Sequence, residues 1–289
     1  MSDQAEALRS KLLNRSSMQR NTKVISVVSG KGGVGKSNVT ISAACELQQN
    51  GSKVLIIDLD IGMANIDILL GESADQSIVD MLQHQLSIWS IMEEGPAGIS
   101  YIAGGRGLNE LFEMDENKAN YFVDQIASLQ GAFDFVFLDM GAGVTQDSFH
   151  FLLSAQEVLL VTTPEPTSIT DAYAMIKFLT VKEADLPVSV IVNRTNNQKE
   201  GYRTFDNLQQ VTKKFLHQEL YYYGSIPNDD AVWKAVRAQT PFVLYAPHSP
   251  PAEALRECIR SMTGGEADQT RSFPSFVRRL KGFLRGARS

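Results

Sequence analysis

The organisation of this chain follows from one short stretch, Gly30-Lys31-Gly32-Gly33-Val34-Gly35-Lys36-Ser37. It fits the pattern G-x-x-x-x-G-K-[ST], follows an apolar run and precedes a helical pattern. Glycines in such a loop let backbone N–H groups turn towards phosphate oxygens, and the positive end of the following helix faces the same place. We expect Lys36 to bridge the β- and γ-phosphates and the Ser37 hydroxyl to hold Mg²⁺. The alternative is a glycine-rich turn that only joins a strand to a helix.

Strand and helix patterns alternate along the rest of the chain. Several strand patterns are nearly continuous apolar runs, such as VISVV, FVFL and VSVIV, which are typical of strands buried on both faces of a parallel sheet. This alternation predicts an α/β fold, with a doubly wound, mostly parallel sheet and helices on both faces. Ligands of such sheets bind outside the carboxyl ends of the strands. Strands are predicted over Lys23–Ser29, Lys53–Asp58, Ile99–Ala103, Asp134–Asp139, Glu157–Thr162, Pro187–Asn193 and Leu220–Ile226, and helices over 36–50, 117–130, 147–154, 168–183, 203–217, 229–238 and 250–262.

The composition is that of a globular protein. Hydrophobic residues make up 43% of the 289 residues and charged residues 21%, which excludes disorder throughout. No apolar run approaches the roughly 20 residues of a membrane helix, and the first twenty residues lack the apolar core of a secretory signal, so we expect a cytoplasmic protein. We expect four parts: an N-terminal extension at 1–21, an α/β domain with the phosphate loop at 22–262, a linker at 263–272 and a C-terminal amphipathic helix at 273–289.

A second lysine in the loop, Lys31, is not required by the general pattern. The form K-G-G-x-G-K-[ST] resembles the deviant Walker A motif of the ParA and MinD class of ATPases. The resemblance implies ATP or ADP with Mg²⁺ as ligands, and a homodimer when ATP is bound but a monomer otherwise. It also makes Lys31 a cation that contacts the nucleotide of the partner subunit, comparable to an arginine finger. The alternative is a solvated surface lysine.

Another strand end carries closely spaced acids. The stretch Asp58-Leu59-Asp60-Ile61-Gly62-Met63-Ala64-Asn65-Ile66-Asp67 resembles switch I of the MinD class, D-x-D-x-G-x-x-N-x-D. The resemblance assigns Asp60 to positioning the attacking water, Asp58 to the neighbourhood of the Mg²⁺ shell, and Asn65 to the dimer interface. The alternative is a set of turn and cap residues.

A third strand end reads Phe137-Leu138-Asp139-Met140-Gly141-Ala142-Gly143. An apolar run that ends in an aspartate is a Walker B arrangement, in which Asp139 holds Mg²⁺ through water. Gly143 has the spacing of switch II, where a backbone N–H contacts the γ-phosphate. MinD-like proteins usually have a proline at position 141, so the glycine here predicts a more flexible loop.

Later strand ends are expected to hold the base. In the family, the residue that matches Asn193 pairs with adenine, and the I-P-x-D loop closes over the base through its backbone. An asparagine at a strand end is more often a turn residue, so these signals depend on their order after the phosphate loop. The base-contacting residues implied are Asn193, Arg194, Ile226, Pro227 and Asn228.

The end of the chain, residues 273–289, predicts an amphipathic helix. Apolar residues fall on one face and basic residues occupy the rest, which is typical of a helix that lies in an anionic membrane interface. Each base contributes about 1 kcal/mol at such a surface, so one helix gives reversible attachment and two in a dimer give avidity. The alternative is a last helix that packs on its own domain. The residues expected to contact lipid are Phe276, Val277, Arg278, Arg279, Leu280, Lys281, Phe283, Leu284 and Arg285.

The start of the chain carries a further resemblance. The stretch Asp3-Gln4-Ala5-Glu6-Ala7-Leu8-Arg9 resembles the D-Q-A-x-x-L-R element of the flagellar, FlhG-like branch of the MinD class. Proteins of that branch use the element to bind and stimulate the GTPase FlhF, they govern flagellar number and placement, and they engage switch-complex proteins of the flagellar base. The alternative is a disordered leader or a starter helix. The contacts implied are Asp3, Gln4, Ala5, Leu8 and Arg9.

Charge is spread unevenly along the chain. The net charge is −6, but the segment from Arg271 onwards has six bases and no acid, so the rest has 21 bases against 33 acids and a net charge of −12. An acidic body argues against broad nucleic-acid binding, and we expect no specific nucleic-acid partner. A MinD-type division-site regulator and a ParA-type partition ATPase stay open, because the ATPase core does not separate them from the flagellar branch. An iron–sulfur ATPase would need suitably placed cysteines, and Cys45 and Cys258 are isolated.

Overall fold

The computed structural model describes residues 21–60, 66–105, 116–141, 149–183, 185–264 and 271–286. Several predictions lie outside these residues. They are the FlhF-binding contacts at Asp3, Gln4, Ala5, Leu8 and Arg9, the dimer contact at Asn65, the switch II glycine Gly143, and the side chain of Arg285.

The described residues form one eight-stranded sheet, which confirms the predicted α/β fold. Seven strands pair in parallel, and a two-residue strand, which the sequence did not predict, pairs antiparallel at one edge. The strands are β1 (Lys23–Val28), β2 (Val54–Leu59), β3 (Glu93–Glu94), β4 (Ser100–Ile102), β5 (Phe135–Met140), β6 (Glu157–Thr162), β7 (Val188–Thr195) and β8 (Leu220–Pro227), in the spatial order β3-β4-β2-β5-β1-β6-β7-β8.

Helices cover both faces of the sheet. The predicted helices are present, with ends that shift by up to five residues. Three short α-helices at 66–70, 78–84 and 242–245 and a 3₁₀ turn at 96–98 were not predicted. The helices are α1 (Lys36–Gln49), α2 (Ile66–Leu70), α3 (Ile78–His84), α4 (Glu116–Ala127), α5 (Phe149–Ser154), α6 (Pro166–Lys182), α7 (Gln198–Leu216), α8 (Asp230–Arg237), α9 (Phe242–Tyr245), α10 (Pro250–Gly264) and α11 (Phe273–Gly286).

Two separate apolar layers result from the alternation of side chains along the central strands. In β1, Ile25 and Val27 face the layer beneath α1, α2, α8, α9 and α10. Val24 and Val28 face the opposite layer, which contains residues of α3, α4, α5, α6, α7 and α11. Because both faces are covered, the carboxyl ends of the central strands are where polar side chains collect.

The C-terminal helix α11 packs on the domain. Leu280 is fully buried and Phe276 is 2% exposed, and both belong to the apolar layer that α4 and α5 share. The Phe283 ring lies 5.4 Å from the ring of His150 in α5. Most of the apolar face that was predicted to meet lipid thus packs against the protein. This is the arrangement that the alternative interpretation of the helix predicted.

Two arginines, one before α11 and one in its middle, contact the same carboxylate. Arg271 is 5% exposed, and it and Arg279 each lie 3.0 Å from Glu183 at the end of α6. Burial lowers the pKa of Arg271 from its ordinary value, although the neighbouring carboxylate partly offsets this shift. Arg278 points to solvent, so the docked helix presents part of its basic face outwards. In the described part of the chain, we find no helix with the length and apolar character needed to cross a membrane.

Candidate nucleotide site

The loop between β1 and α1 has the backbone that its glycines allow. Gly33 and Gly35 have φ values of 78° and 93°, a region that side chains other than glycine rarely adopt. A Cβ added to Gly30 would lie 2.3 Å from the carbonyl carbon of Asp171 in α6, so only glycine permits this close approach. The predicted phosphate loop therefore has a glycine at each point where the backbone turns sharply or meets a neighbour.

A buried carboxylate, Asp139 at the end of β5, lies at the centre of the site. Its Oδ1 accepts a hydrogen bond from the Nζ of Lys36 at 2.8 Å, and its Oδ2 accepts one from the hydroxyl of Ser37 at 2.7 Å. A third donor, the hydroxyl of Thr40, lies 3.2 Å from Oδ1. Asp139 is 1% exposed and Lys36 7%, so the ion pair lies in a region with little solvent.

These residues fit a phosphate group and a magnesium ion. Mg²⁺ prefers oxygen ligands, and the Ser37 hydroxyl and the Asp139 carboxylate are close enough to contact one ion directly or through water. Lys36 supplies a positive charge beside the glycine loop. The fold therefore brings together Lys36, Ser37 and Asp139, the three side chains predicted to bind phosphate and Mg²⁺.

Two more acids lie at the end of the neighbouring strand. Asp58 in β2 pairs in register with Asp139 in β5, and its carboxylate accepts the backbone N–H groups of Asp60 at 2.9 Å and of Ile66 at 3.3 Å. Asp58 thereby connects the backbone at Asp60 with that at Ile66, the described residues on either side of 61–65. Asp60 is 8% exposed and its carboxylate lies against Gly141, where an added Cβ would be 2.6 Å from Oδ1. The glycine that departs from the family pattern thus provides the space for Asp60.

The early lysine, Lys31, has partners within its own chain. Its Nζ donates to Glu165 at 2.6 Å and to the Thr167 hydroxyl at 3.0 Å. Glu165 precedes the first residue of α6, and its hydrogen bond with Lys31 holds the pKa of the Glu165 carboxyl below its ordinary range. Lys31 is neither buried nor fully solvated, because about a third of its side chain is exposed. Its predicted contact across a dimer stays a prediction.

The strand ends expected to hold the base lie side by side. Asn193 in β7 pairs in register with Ile226 in β8, and the N–H of Asn228 donates to the carbonyl of Thr195 at 2.9 Å. The side-chain amide of Asn193, however, donates to the carbonyl of Val34 at 2.8 Å. That contact connects β7 to the phosphate loop, so in this conformation the amide supports the loop. Arg194 is exposed with a φ of 58°, and Pro227 is the last residue of β8.

Sequence reasoning missed two of these partners. Thr40 lies four residues after Lys36, and this one-turn spacing on a helix was a usable signal for a residue that faces the same carboxylate. Glu165 gave no local signal, because its contact with Lys31 joins residues 134 positions apart.

The cysteines are not exposed to ligands. Cys45 and Cys258 are both free and buried, and burial raises the pKa of each thiol to about 12. Within the described ranges, no group of three or more histidines, cysteines, aspartates or glutamates is arranged to hold a metal ion.

Comparison with known proteins gives concordant matches. The ParA family model, described as an NUBPL iron-transfer P-loop NTPase, matches residues 20–263. The antiactivator FleN of Pseudomonas aeruginosa is 35% identical over 217 residues, which are 75% of this chain and 78% of that protein. The flagellum site-determining protein YlxH of Helicobacter pylori is 33% identical over 271 residues, which are 91% of each chain.

Solved structures agree with these matches. The septum site-determining protein MinD of Pyrococcus horikoshii, in complex with Mg-ADP, superposes with a TM-score of 0.69 at 27% identity. The superposition covers 84% of this chain and 96% of that one.

Proposed function

This chain belongs to the ParA family of P-loop NTPases, and from that premise we propose that it is an ATPase switch that regulates the number and placement of flagella. Its ligands are ATP, ADP and Mg²⁺, as the Mg-ADP complex of the MinD relative supports. The observation that carries the ATPase assignment is the buried contact of Lys36 and Ser37 with Asp139 at the carboxyl ends of β1 and β5.

Each residue of this cluster has a defined task in the proposed reaction. The N–H groups of the glycine loop and the ammonium of Lys36 bind the phosphates, and Ser37 and Asp139 hold Mg²⁺, which when bound neutralises phosphate charge. Asp60 orients the attacking water, and Asp58 keeps the loop that carries Asp60 in place through its bonds to backbone N–H groups.

Substitution of Lys36 tests the ATPase assignment. We expect Lys36→Ala to abolish ATP hydrolysis and to weaken ATP binding strongly, because the loop loses its only buried cation among the described residues that line it. Lys53→Ala, a solvent-exposed lysine before β2, is the matched control and should hydrolyse ATP as the wild type does. Equal ATP turnover in the two variants would refute the assignment.

The switch itself is proposed to be a homodimer that forms with ATP and separates after hydrolysis. In this scheme Lys31 leaves Glu165 and Thr167 and contacts the phosphates bound to the partner subunit. The bonds of Lys31 within its own chain are short but exposed, so exchanging them for a phosphate contact costs little. ATP, which brings charge to the face where Lys31 lies, thus favours association.

Membrane association is proposed to depend on α11. Its apolar face is buried on α4 and α5, so contact with lipid requires the helix to leave this position. Phe283 contacts His150 near the start of α5, and α5 follows the segment that contains the predicted switch II. If that segment changes conformation when nucleotide binds, the change can weaken the packing of α11. Release of α11 would make the protein reversibly peripheral on the inner face of the cell membrane.

Liposome sedimentation tests the membrane proposal. We expect co-sedimentation with anionic vesicles in Mg-ATP, and loss of it when residues 273–289 are deleted. The variant Arg278→Glu, which changes an exposed base and leaves the apolar packing intact, should weaken binding and make it less dependent on salt. Unchanged sedimentation of the deletion variant would contradict the proposal.

The partner proposal rests on the N-terminal resemblance. We propose that residues 1–20 bind and stimulate the GTPase FlhF, and that the protein also engages switch-complex proteins of the flagellar base. The experiment is an FlhF GTPase assay with a peptide of residues 1–20, and with the same peptide carrying Gln4→Ala. Stimulation by the first peptide and not by the second is expected, and basal turnover with both would remove the FlhF assignment.

A MinD-type role in division-site selection is the second candidate. It is favoured by the superposition on a septum site-determining MinD, whose core this chain shares. Deletion of the gene separates the two: altered flagellar number with normal septum position supports the flagellar role. A ParA-type partition role would instead require salt-dependent binding of plain duplex DNA by the protein without residues 273–289.

A further inference from the structure

One buried hydroxyl in the nucleotide site has no role in the scheme above. Thr40 lies in the second turn of α1 and is fully buried. Its Oγ1 is 3.0 Å from the carbonyl of Lys36 and 3.2 Å from Oδ1 of Asp139. Because a hydroxyl has one proton, it can donate to only one of these acceptors at a time.

The two acceptors are unequal before a ligand binds. A threonine inside a helix commonly donates to the carbonyl four residues earlier, which here is that of Lys36. Oδ1 of Asp139 meanwhile has a stronger donor, the ammonium of Lys36 at 2.8 Å. In this conformation the Thr40 hydroxyl is therefore expected to donate to the carbonyl of Lys36 and not to Asp139.

Phosphate binding changes that balance. The proposed function assigns Lys36 to the phosphates and the Ser37 oxygen to Mg²⁺, and within the described residues these two side chains are the other donors to Asp139. When Lys36 turns to the phosphates, Oδ1 loses its ammonium donor, and the Thr40 hydroxyl is the described donor that stays within reach of that oxygen. A buried carboxylate oxygen without a donor is costly even when Mg²⁺ compensates the other oxygen, so the hydroxyl is expected to turn towards Oδ1.

We propose that Thr40 is a magnesium-positioning residue: its hydroxyl replaces Lys36 on Oδ1 of Asp139 when nucleotide binds, which leaves Oδ2 oriented towards the ion. The inference rests on the proposed function. Partners of this kind, one step removed from the metal, typically change metal affinity by 10- to 100-fold when they are removed.

The test compares Thr40→Val, which keeps the shape and loses the hydroxyl, with Thr40→Ser, which keeps the hydroxyl. The measurement is the dissociation constant of a fluorescent ADP analogue, in EDTA and across a Mg²⁺ titration. For Thr40→Val we expect the Mg²⁺ concentration at half effect to rise about tenfold, with ADP affinity in EDTA unchanged. Thr40→Ser should behave as the wild type does.

Other outcomes overturn the inference in distinguishable ways. If Thr40→Val responds to Mg²⁺ as the wild type does, or weakens ADP binding equally with and without Mg²⁺, Thr40 has only a packing role. If the wild type itself binds the analogue with no Mg²⁺ effect, the metal part of the proposed function fails along with this inference. Should Thr40→Val not fold, Thr40→Ala replaces it, with thermal unfolding of the ligand-free protein as the check on folding.

Discussion

At the scale of single residues, the contact between Gly141 and Asp60 links two loops of the site. An added Cβ at position 141 would lie 2.6 Å from Oδ1 and 3.2 Å from Cγ of Asp60, which is itself buried. Asp60 would therefore have to move to accommodate any side chain at position 141. We expected a flexible loop because position 141 lacks a proline. The structure shows a steric reason for a glycine at this position, which is that it leaves room for the Asp60 carboxylate.

We predict that Gly141→Ala slows ATP hydrolysis and leaves ATP affinity nearly unchanged. Displacement of a water-positioning carboxylate by about 1 Å can cost up to about 100-fold in rate. The measurement is kcat for ATP together with the dissociation constant of a non-hydrolysable analogue. Gly264→Ala, at a position where an added Cβ meets nothing within 4 Å, is the control. A normal kcat for Gly141→Ala would show that Asp60 does not position water from this location.

Substitution of Asn193 can distinguish a role in supporting the phosphate loop from a role in recognising the base. Its bond to the carbonyl of Val34 predicts that Asn193→Ala weakens ATP and GTP binding alike, on the order of tenfold, since a buried carbonyl loses its donor. If Asn193 instead recognised adenine, Asn193→Ala would reduce the preference for ATP over GTP. Competition binding with both nucleotides measures this ratio. The control is Asn196→Ala, because the side-chain amide of the exposed Asn196 contacts only Glu200 in the described structure.

The proximity of site residues was predictable from sequence where a motif fixes both spacing and context, whereas their roles stay predictions. Asp139 is 103 positions from Lys36 and 102 from Ser37, yet the loop motif and the Walker B pattern predicted that these residues share one site. The partner of Lys31 could not be predicted, because Glu165 belongs to no pattern that the early lysine requires. Contacts of this second type depend on how two loops meet, which local sequence does not encode.

At the scale of elements, the buried strands were the most predictable. Each apolar run became a strand within about two residues of its predicted ends, because a strand covered on both faces must be apolar throughout. The short helix α3 was missed, although its capping box, in which Ser77 and Asp80 satisfy each other's backbone N–H groups, is a local signal. The three α-helices that were not predicted have four to seven residues, so hydrophobic periodicity covers too few turns to identify them.

Helix α11 shows what amphipathicity alone leaves open. The same face can meet lipid or protein, and only tertiary structure shows that Leu280 lies in the core. We predict that Leu280→Ala weakens docking by about 2 kcal/mol or more, so amides of α11 should exchange hydrogen at least about 30-fold faster. Leu284→Ala, where the side chain is only partly buried, should have a smaller effect. Exchange in α11 that is equally fast in the wild type and both variants would mean that the helix is not docked in solution.

At the scale of the whole molecule, the proposed switch requires that one residue act in two settings. Within one chain, Lys31 contacts Glu165 and Thr167, and in an ATP-bound pair it would contact the partner's phosphates. The first setting stabilises the monomer slightly and the second stabilises the dimer, so their difference sets how strongly ATP drives association. An exposed ion pair contributes little, which makes a switch of this design sensitive to ATP.

Sizing chromatography in Mg-ATP separates the two settings. Asp60→Ala, which should bind ATP without hydrolysing it, is predicted to elute as a dimer, because the associated state then persists. Lys31→Ala combined with Asp60→Ala should elute as a monomer, while Glu165→Gln combined with Asp60→Ala should dimerise at lower protein concentration, since Lys31 is released from its own chain. All three should bind ATP analogue with similar affinity, which excludes loss of ligand as the cause. A dimer that persists without Lys31 would place the source of association elsewhere on the nucleotide face and leave Lys31 with only its contacts to Glu165 and Thr167.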